Sequence, residues 1–247
     1  MIPSVVARQV RESVLDYLRT TFALADSEIE EELFRFLAGD DGLFRGPYVD
    51  VRLPFRKVSE DIRPLLEIAP PFLPYQHQQR AFERLSSFDG RTPQPTLVTT
   101  GTGSGKTECF LYPILDHCYR KRAEPGIKAI ILYPMNALAT DQARRLAKML
   151  WEDPRLKGEV SAGLFIGGQG SHGISDAANL TDRRETLRAS PPDILLTNYK
   201  MLDFLLMRPE DKSLWERNGP DTLQYLVLDE LHTYDGAQGS DVNQLAM

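Results

Sequence analysis

Long apolar runs are absent from the sequence, since no uninterrupted stretch approaches the roughly 20 residues that a membrane-spanning helix needs. Residues 1–22 carry charges throughout, which excludes a secretory signal or an anchor in this segment. We therefore expect no membrane partner and an intracellular protein, cytoplasmic and, if its source is a prokaryote, associated with the nucleoid.

Cysteine is also scarce, and acidic residues outnumber basic ones. The two cysteines, Cys109 and Cys118, lie in one predicted helix at a spacing that suits neither a zinc site nor a disulfide framework, so we expect both in the core. The formal net charge of −6 argues against a protein that coats nucleic acid by bulk electrostatics. It still permits a narrow grip on phosphates through backbone N–H groups and helix N-termini, which do not alter net charge.

A hydrophobic fraction of 42% is enough for a real core and argues against disorder. Apolar positions at helical spacing over residues 4–23 predict one helix. A capping box from Asp26 to Glu30 begins a second helix, which ends near Leu37. Alternation over residues 49–55 indicates a short strand.

The proline-rich segment 68–74 breaks regular structure and marks the predicted domain boundary. We predict a small, mostly helical accessory element over residues 1–71 and a main domain over residues 72–247. The amphipathic accessory helices have two interpretations, a partner-binding surface or a cover for the sheet, and the cover is favoured.

Short strands that are apolar on both sides alternate with helices in the main domain. This pattern is typical of an α/β fold with a mainly parallel sheet covered by helices on both faces. We predict a loop over residues 167–178. The predicted strands are 96–100, 129–133, 162–166, 193–197 and 223–229, and the predicted helices are 76–85, 106–117, 140–150, 181–187 and 199–207.

A glycine-rich segment, GTGSGKT at residues 101–107, follows a predicted strand and precedes an apolar helix. This is the order that a P-loop needs, because glycines let backbone N–H groups surround phosphates and the helix N-terminus favours anions. We predict that Lys106 neutralises the β- and γ-phosphates of ATP and that Thr107 holds Mg²⁺. The predicted cradle consists of Thr102, Gly103, Ser104, Gly105, Lys106 and Thr107.

Thr100 stands where the usual P-loop pattern has its first glycine. A glycine-rich turn that happens to precede Lys-Thr is the alternative interpretation. The flanking strand and helix patterns disfavour it.

A pair of carboxylates, Asp229-Glu230, ends the apolar strand pattern LVLDE. Because parallel strands end at a common edge, we expect this pair beside the P-loop. Asp229 is predicted to hold Mg²⁺ through a water, and Glu230 to position and deprotonate the water that attacks the γ-phosphate. Alone, Asp-Glu after an apolar run is common at strand ends, and the upstream P-loop is what favours the functional interpretation.

With both motifs in this order, the sequence resembles the DEAD/DEAH-box helicases of superfamily 2, whose second motif is written here Asp229-Glu230-Leu231-His232. Members of that family commonly carry a small residue other than glycine at the position of Thr100. The resemblance covers residues 72–247. It implies a RecA-like P-loop domain, ATP and Mg²⁺ as cofactors, a nucleic-acid partner and a coupling role for His232.

Longer phrases are similar to the DNA helicases of the mitomycin-repair-factor type, and this similarity favours DNA over RNA. The phrases are TTGTGSGKTE, YPMNALATDQ, LLTNYKML and LDELHTYDGAQGSDV.

Residues 74–78, PYQHQ, look like the family's adenine-recognition motif. The resemblance implies that Gln78 reads the adenine edge through paired hydrogen bonds and that Tyr75 stacks on the base. An ordinary start of an amphipathic helix is the alternative.

Three further segments resemble motifs with which the family grips a nucleic-acid backbone. In the first, YPMNAL, the predicted contacts are Pro134, Asn136 and Ala137. Gly167-Gly168 and Thr197-Asn198 resemble the next two. A plain turn and a helix cap, respectively, are the alternatives for these two weaker matches.

Within the 247 residues we find neither the family's Ser-Ala-Thr-like coupling motif nor a second RecA-like domain, which supplies an arginine finger and half of the ATP cleft. We expect the chain to need that half in cis or in trans. Alone it should bind ATP weakly and hydrolyse it slowly, since an arginine finger is worth about 10³–10⁵ in rate.

The sequence thus predicts a motor domain that couples ATP hydrolysis to translocation on single-stranded or duplex nucleic acid, with DNA favoured. A stand-alone ATP-dependent module that binds nucleic acid or a partner with little turnover is the alternative. A small-molecule kinase is disfavoured because neither a lid nor an acceptor site is recognisable.

Overall fold

A computed structural model of the chain describes residues 3–39, 42–44, 54–58, 65–101, 103–167 and 180–234. The chain divides into two compact units, Met1–Pro54 and Phe55–Met247. The functional boundary that we predict after residue 71 stays a prediction. In the described ranges no helix is long and apolar enough to cross a membrane.

The first unit contains two helices, α1 (Pro3–Thr21) and α2 (Ser27–Ala38). Asp26 caps α2, because its carboxylate accepts hydrogen bonds from two backbone N–H groups of the first turn at 2.9 and 3.2 Å. Both helices agree with the sequence prediction. The strand predicted over residues 49–55 falls mostly outside the described residues.

The second unit alternates helices with short strands, as the sequence predicts. Its described helices are α3 (Gln76–Leu85), α4 (Lys106–Arg120), α5 (Asn136–Glu152), α6 (Arg184–Ala189) and α7 (Tyr199–Met207), and its described strands are β1 (Ala129–Leu132), β2 (Ala162–Phe165), β3 (Leu180–Thr181), β4 (Ile194–Thr197) and β5 (Tyr225–Leu228).

The described strands form one sheet in the order β3-β2-β4-β1-β5, and every pairing in it is parallel. β1 pairs with both β4 and β5, so that Leu132, Thr197 and Leu228 are in register at the carboxyl ends. β2 places Phe165 opposite Thr197. Parallel strands need crossover connections, which the helices supply.

Side chains of β1 show how helices cover both faces of the sheet. Ala129 and Ile131 belong to a core cluster built with residues of α4 and α5. Ile130 and Leu132 pack instead with residues of α6 and α7. Because successive residues of a strand point to opposite faces, a strand covered on both faces is apolar throughout. The predicted α/β fold is confirmed.

One predicted strand is wrong, and one predicted helix starts later than expected. Residues 96–100 form no strand, and the Leu97 side chain is 71% exposed. β5 has β1 on one side and no described strand on the other, so the segment has no described ladder to join. The helix predicted over residues 181–187 begins at Arg184 instead, because β3 pairs with β2.

A buried histidine makes the stability of the second unit depend on pH. The Nδ1 of His117 lies 2.7 Å from the Ser87 hydroxyl, and its ring meets that of Tyr225 edge to face. Burial and, next, neighbouring basic side chains lower the pKa of His117 to about 4. The imidazole is therefore neutral in the folded chain at neutral pH.

We predict that acid destabilises the chain through His117. Its folded pKa lies below the ordinary 6.5, so its contribution is fully present above pH 6.5 and is lost as the pH falls toward 4. The free energy of unfolding should drop by about 3 kcal/mol at pH 4 on this account. Urea titrations of wild type and His117→Gln should diverge by that amount, and parallel pH curves would contradict the assignment.

Candidate functional site

The carboxyl ends of the strands lie along one edge of the sheet. β1 leads into Tyr133-Pro134, β2 into Ile166-Gly167, β4 into Asn198 and β5 into Asp229-Glu230. Ligands of open α/β sheets bind at this edge. Four segments that the sequence marks as functional are therefore neighbours.

The glycine-rich loop has the backbone shape of a phosphate cradle. Gly103 and Gly105 have φ of +77° and +74°, in the left-handed region that favours glycine. Gly105 is the N-cap of α4, and Lys106 and Thr107 begin that helix, so the loop ends on a helix N-terminus. Any other residue at position 105 would be strained at this φ, and its Cβ would lie 2.5 Å from the Gln78 side chain, which would have to shift.

Ser104 anchors the middle of the loop. It is buried, and its hydroxyl lies 2.6 Å from that of Thr100, the residue at the position of the missing first glycine. The Nε2 of His77 donates to the Ser104 carbonyl at 2.9 Å. Thr102, also predicted to cradle phosphate, lies outside the described residues.

Asp229 and Glu230 form the first turn after β5. The Asp229 N–H donates to the Leu132 carbonyl at 3.0 Å, and the Glu230 N–H donates to Asp229 Oδ1 at 3.0 Å. Glu230 has φ of +50°, a strained backbone of the kind that collects at functional sites. The predicted coupling residue His232 places Nδ1 3.3 Å from a Glu230 carboxylate oxygen.

The pKa of Asp229 depends on charges from both the phosphate loop and the acidic pair. Burial raises the pKa of Asp229, while the hydrogen bond from the Glu230 N–H lowers it. The Glu230 charge raises this pKa and the Lys106 ammonium lowers it. The lysine of the phosphate loop therefore exerts an electrostatic effect on the Asp229 carboxyl.

One of the two predicted adenine residues, Gln78, contacts the phosphate loop. Gln78 is 2% exposed, its Oε1 accepts from the Tyr75 N–H at 2.9 Å, and its Nε2 donates to the Gly105 carbonyl at 3.1 Å. The structure thus shows the Gln78 side chain hydrogen-bonded to the backbone of the phosphate loop. One N–H and one lone pair of its amide remain, and adenine recognition by Gln78 and Tyr75 stays a prediction.

Two aromatic residues beside Tyr75 were missed by the sequence reasoning. The rings of Tyr75 and His77 stack at 5.7 Å with planes 16° apart, and Phe55 lies 5.5 Å from each. An isolated antiparallel pairing of Lys57 with Tyr75 brings Phe55 there, and a Cβ on Gly101 would lie 3.8 Å from its ring. The contact is distant in sequence, so no local pattern marks Phe55.

Three predicted grip residues are joined by hydrogen bonds. Asn198 Nδ2 donates to Asn136 Oδ1 at 2.7 Å, and Asn136 Nδ2 donates to the Gly167 carbonyl at 3.4 Å. We call these three residues the asparagine cluster. Asn136 begins α5, and Asn198 caps α7 by accepting from the Met201 N–H at 2.9 Å. Two helix N-termini therefore meet at the cluster, an arrangement suited to phosphate.

The other predicted grip residues differ in exposure. Thr197 is fully buried and its hydroxyl donates to the Phe165 carbonyl at 2.5 Å, so we assign it a positioning role in place of the predicted strand contact. Pro134 is half-buried and Ala137 is exposed beside the cluster. Gly168 lies outside the described residues.

Comparison with known proteins decides the family. A family model described as DEAD/DEAH box helicase matches residues 75–247. The chain belongs to the DEAD/DEAH box helicases. The family-level resemblance read from the motifs is confirmed, whereas the mitomycin-repair-factor subgroup stays a prediction.

Relatives of this helicase domain are much longer than the chain. It is 24% identical to the Druantia protein DruE of Escherichia coli, over 95% of the chain and 19% of DruE. It is 31% identical to the ATP-dependent helicase YprA of Bacillus subtilis, over 68% of the chain and 19% of YprA. The chain thus spans about a fifth of these relatives.

A solved structure supports the fold. The helicase Lhr of Mycobacterium smegmatis, bound to ssDNA and AMP-PNP, matches with a TM-score of 0.52 at 22% identity, covering 68% of this chain and 20% of that one. This likeness concerns the fold alone, and it confirms the RecA-like domain.

The donor set of the helicase domain fits a magnesium nucleotide. Space is open beside Gly103, where an added Cβ would meet no atom of the described residues within 4 Å. Lys106 and the N-terminus of α4 suit phosphates, while the Thr107 hydroxyl and the Asp229 carboxylate are oxygen ligands of the kind that magnesium prefers. Magnesium usually keeps several waters and shares its coordination with substrate phosphates, so two oxygen ligands from the protein are sufficient.

We predict that Asp229→Asn stabilises the empty helicase domain and impairs magnesium binding. The folded pKa is raised, so the stability from this residue is present in acid and is lost as the pH rises through the folded pKa. The melting temperature at pH 7 should rise by a few degrees, with the difference shrinking in acid, while magnesium-dependent nucleotide affinity falls. A lower melting temperature for the variant at pH 7 would be the opposite result.

Proposed function

We propose that the chain is the ATP- and nucleic-acid-binding motor domain of a DNA helicase or translocase. It couples ATP hydrolysis to strand translocation once a second RecA-like domain completes it in cis or in trans. The observation that carries the proposal is the shared sheet edge, where Asp229-Glu230 follows β5 and the asparagine cluster follows the neighbouring strands. A nucleotide and a strand bound at this edge would be neighbours.

In the nucleotide half, Lys106 neutralises the β- and γ-phosphates, and Thr107 and Asp229 hold Mg²⁺. The ion, when bound, withdraws charge from the γ-phosphate. Glu230 orients the attacking water and accepts its proton. The His232 ring lies 3.3 Å from this carboxylate, so its contact with Glu230 would change when Glu230 gains or loses a proton.

In the nucleic-acid half, the cluster binds phosphates and reads no bases. Amide side chains and helix N-termini donate to phosphate oxygens, and such contacts position a strand without sequence selection. A net charge of −6 is compatible with this mode, because it needs few basic side chains. The single-stranded DNA in the Lhr structure supports DNA as the first ligand to test.

Fast turnover requires more than this chain. No arginine finger is assigned within the described residues, and such a residue is worth about 10³–10⁵ in rate. The length of the relatives, of which the chain spans about a fifth, supports a second domain as its source. Nucleotide and strand binding are therefore the first properties to measure on the chain itself.

We predict that Asn136→Ala weakens binding of a labelled single-stranded oligodeoxynucleotide about tenfold. The change removes a phosphate donor and also the partner of Asn198. Affinity for an ATP analogue should stay unchanged, because the cluster does not contact the phosphate loop in this account. Fluorescence anisotropy measures the first quantity and calorimetry the second.

The matched control is Asn218→Ala, at the opposite edge of the sheet. Asn218 bonds both the N–H and the carbonyl of Ile127, just before β1, at 3.0 and 2.8 Å. Strand affinity should survive this change. An unaltered binding isotherm for Asn136→Ala, or an equal loss of strand affinity in the control, would remove the cluster from the proposal. Tighter binding of an RNA of the same sequence would overturn the preference for DNA.

A further inference from the structure

Two buried tyrosines connect the acidic turn with the asparagine cluster. The rings of Tyr199 and Tyr234 meet edge to face, with centroids 6.3 Å apart and planes at 86°. They are 8% and 9% exposed and pack with Leu228, the last residue of β5. Neither tyrosine has a role in the nucleotide or strand contacts described above.

A short segment of the chain connects Tyr234 to the proposed catalytic base, Glu230. A tight turn, Leu231–Thr233, follows Glu230, and the N–H and hydroxyl of Thr233 both donate to the Glu230 carbonyl at 2.9 and 2.8 Å. Tyr234 comes directly after this turn. Burial and, next, the Asp229 carboxylate raise the pKa of Tyr234 to about 12. A displacement of Glu230 would therefore be passed to the Tyr234 backbone through a short, hydrogen-bonded segment.

Tyr199 is attached to the proposed strand-binding residues. It is the first residue of α7, directly after the cap Asn198. Asn198 in turn bonds both the Met201 N–H within α7 and Asn136 of the cluster. A displacement of Tyr199 would tilt the first turn of α7 and carry the Asn198 amide with it.

We propose that the ring contact between Tyr199 and Tyr234 couples occupancy of the nucleotide site to affinity for the strand. This inference rests on the proposed function, since it requires both ligands to bind. The tyrosines act as positioning residues, because they touch neither ligand and fix the spacing between the Glu230 turn and the start of α7. Buried rings in a close-packed interior cannot be compressed, so a shift on one side is transmitted or the contact repacks.

Ring packing, rather than hydrogen bonding, holds Tyr234 at this contact. Its hydroxyl is buried and has no hydrogen-bond partner within the described part of the chain. Tyr234→Phe keeps the ring and should preserve the coupling. Tyr234→Leu and Tyr199→Leu keep an apolar side chain but remove the edge-to-face contact, and should abolish it.

The test measures the linkage between the two ligands. The affinity of the chain for a labelled single-stranded oligodeoxynucleotide is measured with and without AMP-PNP and Mg²⁺. We expect a ratio of about fivefold or more for wild type and Tyr234→Phe. The ratio should fall close to one for each leucine variant, and the double variant should match the single ones because both changes break the same contact.

Tyr112→Leu is the matched control. Tyr112 meets Phe82 edge to face at 6.3 Å with planes at 72°, and the two residues are 8% and 3% exposed. This pair joins α3 to α4 and does not connect the two proposed ligand sites. The control should lower the melting temperature as the Tyr199 variant does, and should keep the wild-type ratio.

The outcomes separate this inference from the proposed function. A wild-type ratio near one, or a wild-type ratio kept in both leucine variants, overturns the inference and leaves the proposed function standing. Failure of wild type to bind either ligand overturns both. If the leucine variants do not fold, hydrogen exchange in wild type decides. AMP-PNP and Mg²⁺ alone should change the exchange rate of the Met201 amide. An unchanged rate overturns the inference.

Discussion

Replacing Glu230 by glutamine should reduce DNA-stimulated ATP hydrolysis about 10²- to 10⁴-fold, the range that a positioned general base contributes. The substitution removes the acceptor for the proton of the attacking water. It keeps the size of the side chain, the hydrogen bonds of the turn and an oxygen that can face His232. Turnover is measured with the second RecA-like domain supplied, so that the wild-type rate is high enough to show the loss.

Nucleotide affinity separates the role of the base from damage to the fold. Glu230→Gln should bind an ATP analogue within about twofold of wild type, because an interaction made only in the transition state affects the rate and not ground-state binding. Glu124→Gln is the control, since Glu124 is an exposed carboxylate paired with Lys121 at 2.7 Å. An undiminished rate for Glu230→Gln would remove its assignment as the base.

Lys106→Ala should weaken binding of ATP by about 30-fold or more, since truncating one partner of a desolvated charge pair costs about 2 kcal/mol or more. Lys106 stands at the N-terminus of α4 and provides a full positive charge beside the phosphate loop. Its removal also takes away the ammonium that lowers the pKa of Asp229. Calorimetry with an ATP analogue and Mg²⁺ measures the loss.

The control for this variant is Lys148→Ala. Lys148 is an exposed residue of α5 that lies 3.7 Å from Glu152. Its removal changes the net charge by the same amount without touching the loop, so nucleotide affinity should not move. Equal affinities for Lys106→Ala and wild type would mean that the triphosphate binds elsewhere.

The main chemical features could be predicted because they depend on local rules. Glycines that allow positive φ, followed by a helix N-terminus, are visible in residues 101–107 without any knowledge of the fold. Asp229-Glu230, Asn136 and Asn198 all follow apolar strand patterns. Since parallel strands end at one edge, the sequence predicts that these residues are neighbours, and the hydrogen bond between Asn136 and Asn198 agrees with it.

Long-range pairing is what the sequence could not supply. Residues 96–100 have strand-forming side chains, but a strand needs a ladder partner, and among the described residues β5 pairs only with β1. Thr197 is buried, and its hydroxyl donates to the Phe165 carbonyl of the neighbouring strand. Phe55 reaches the phosphate loop through the pairing of Lys57 with Tyr75, which leaves no periodic signal.

The central claim is that Lys106, Thr107, Asp229 and Glu230 act on one magnesium triphosphate. A crystal structure of the chain with AMP-PNP and Mn²⁺, in which anomalous scattering locates the metal, tests it most directly. We predict one manganese peak between the start of α4 and the end of β5, with the γ-phosphate against the Lys106 amine. A triphosphate bound away from this edge, or a metal with no protein or water-mediated link to Thr107 and Asp229, would contradict the account.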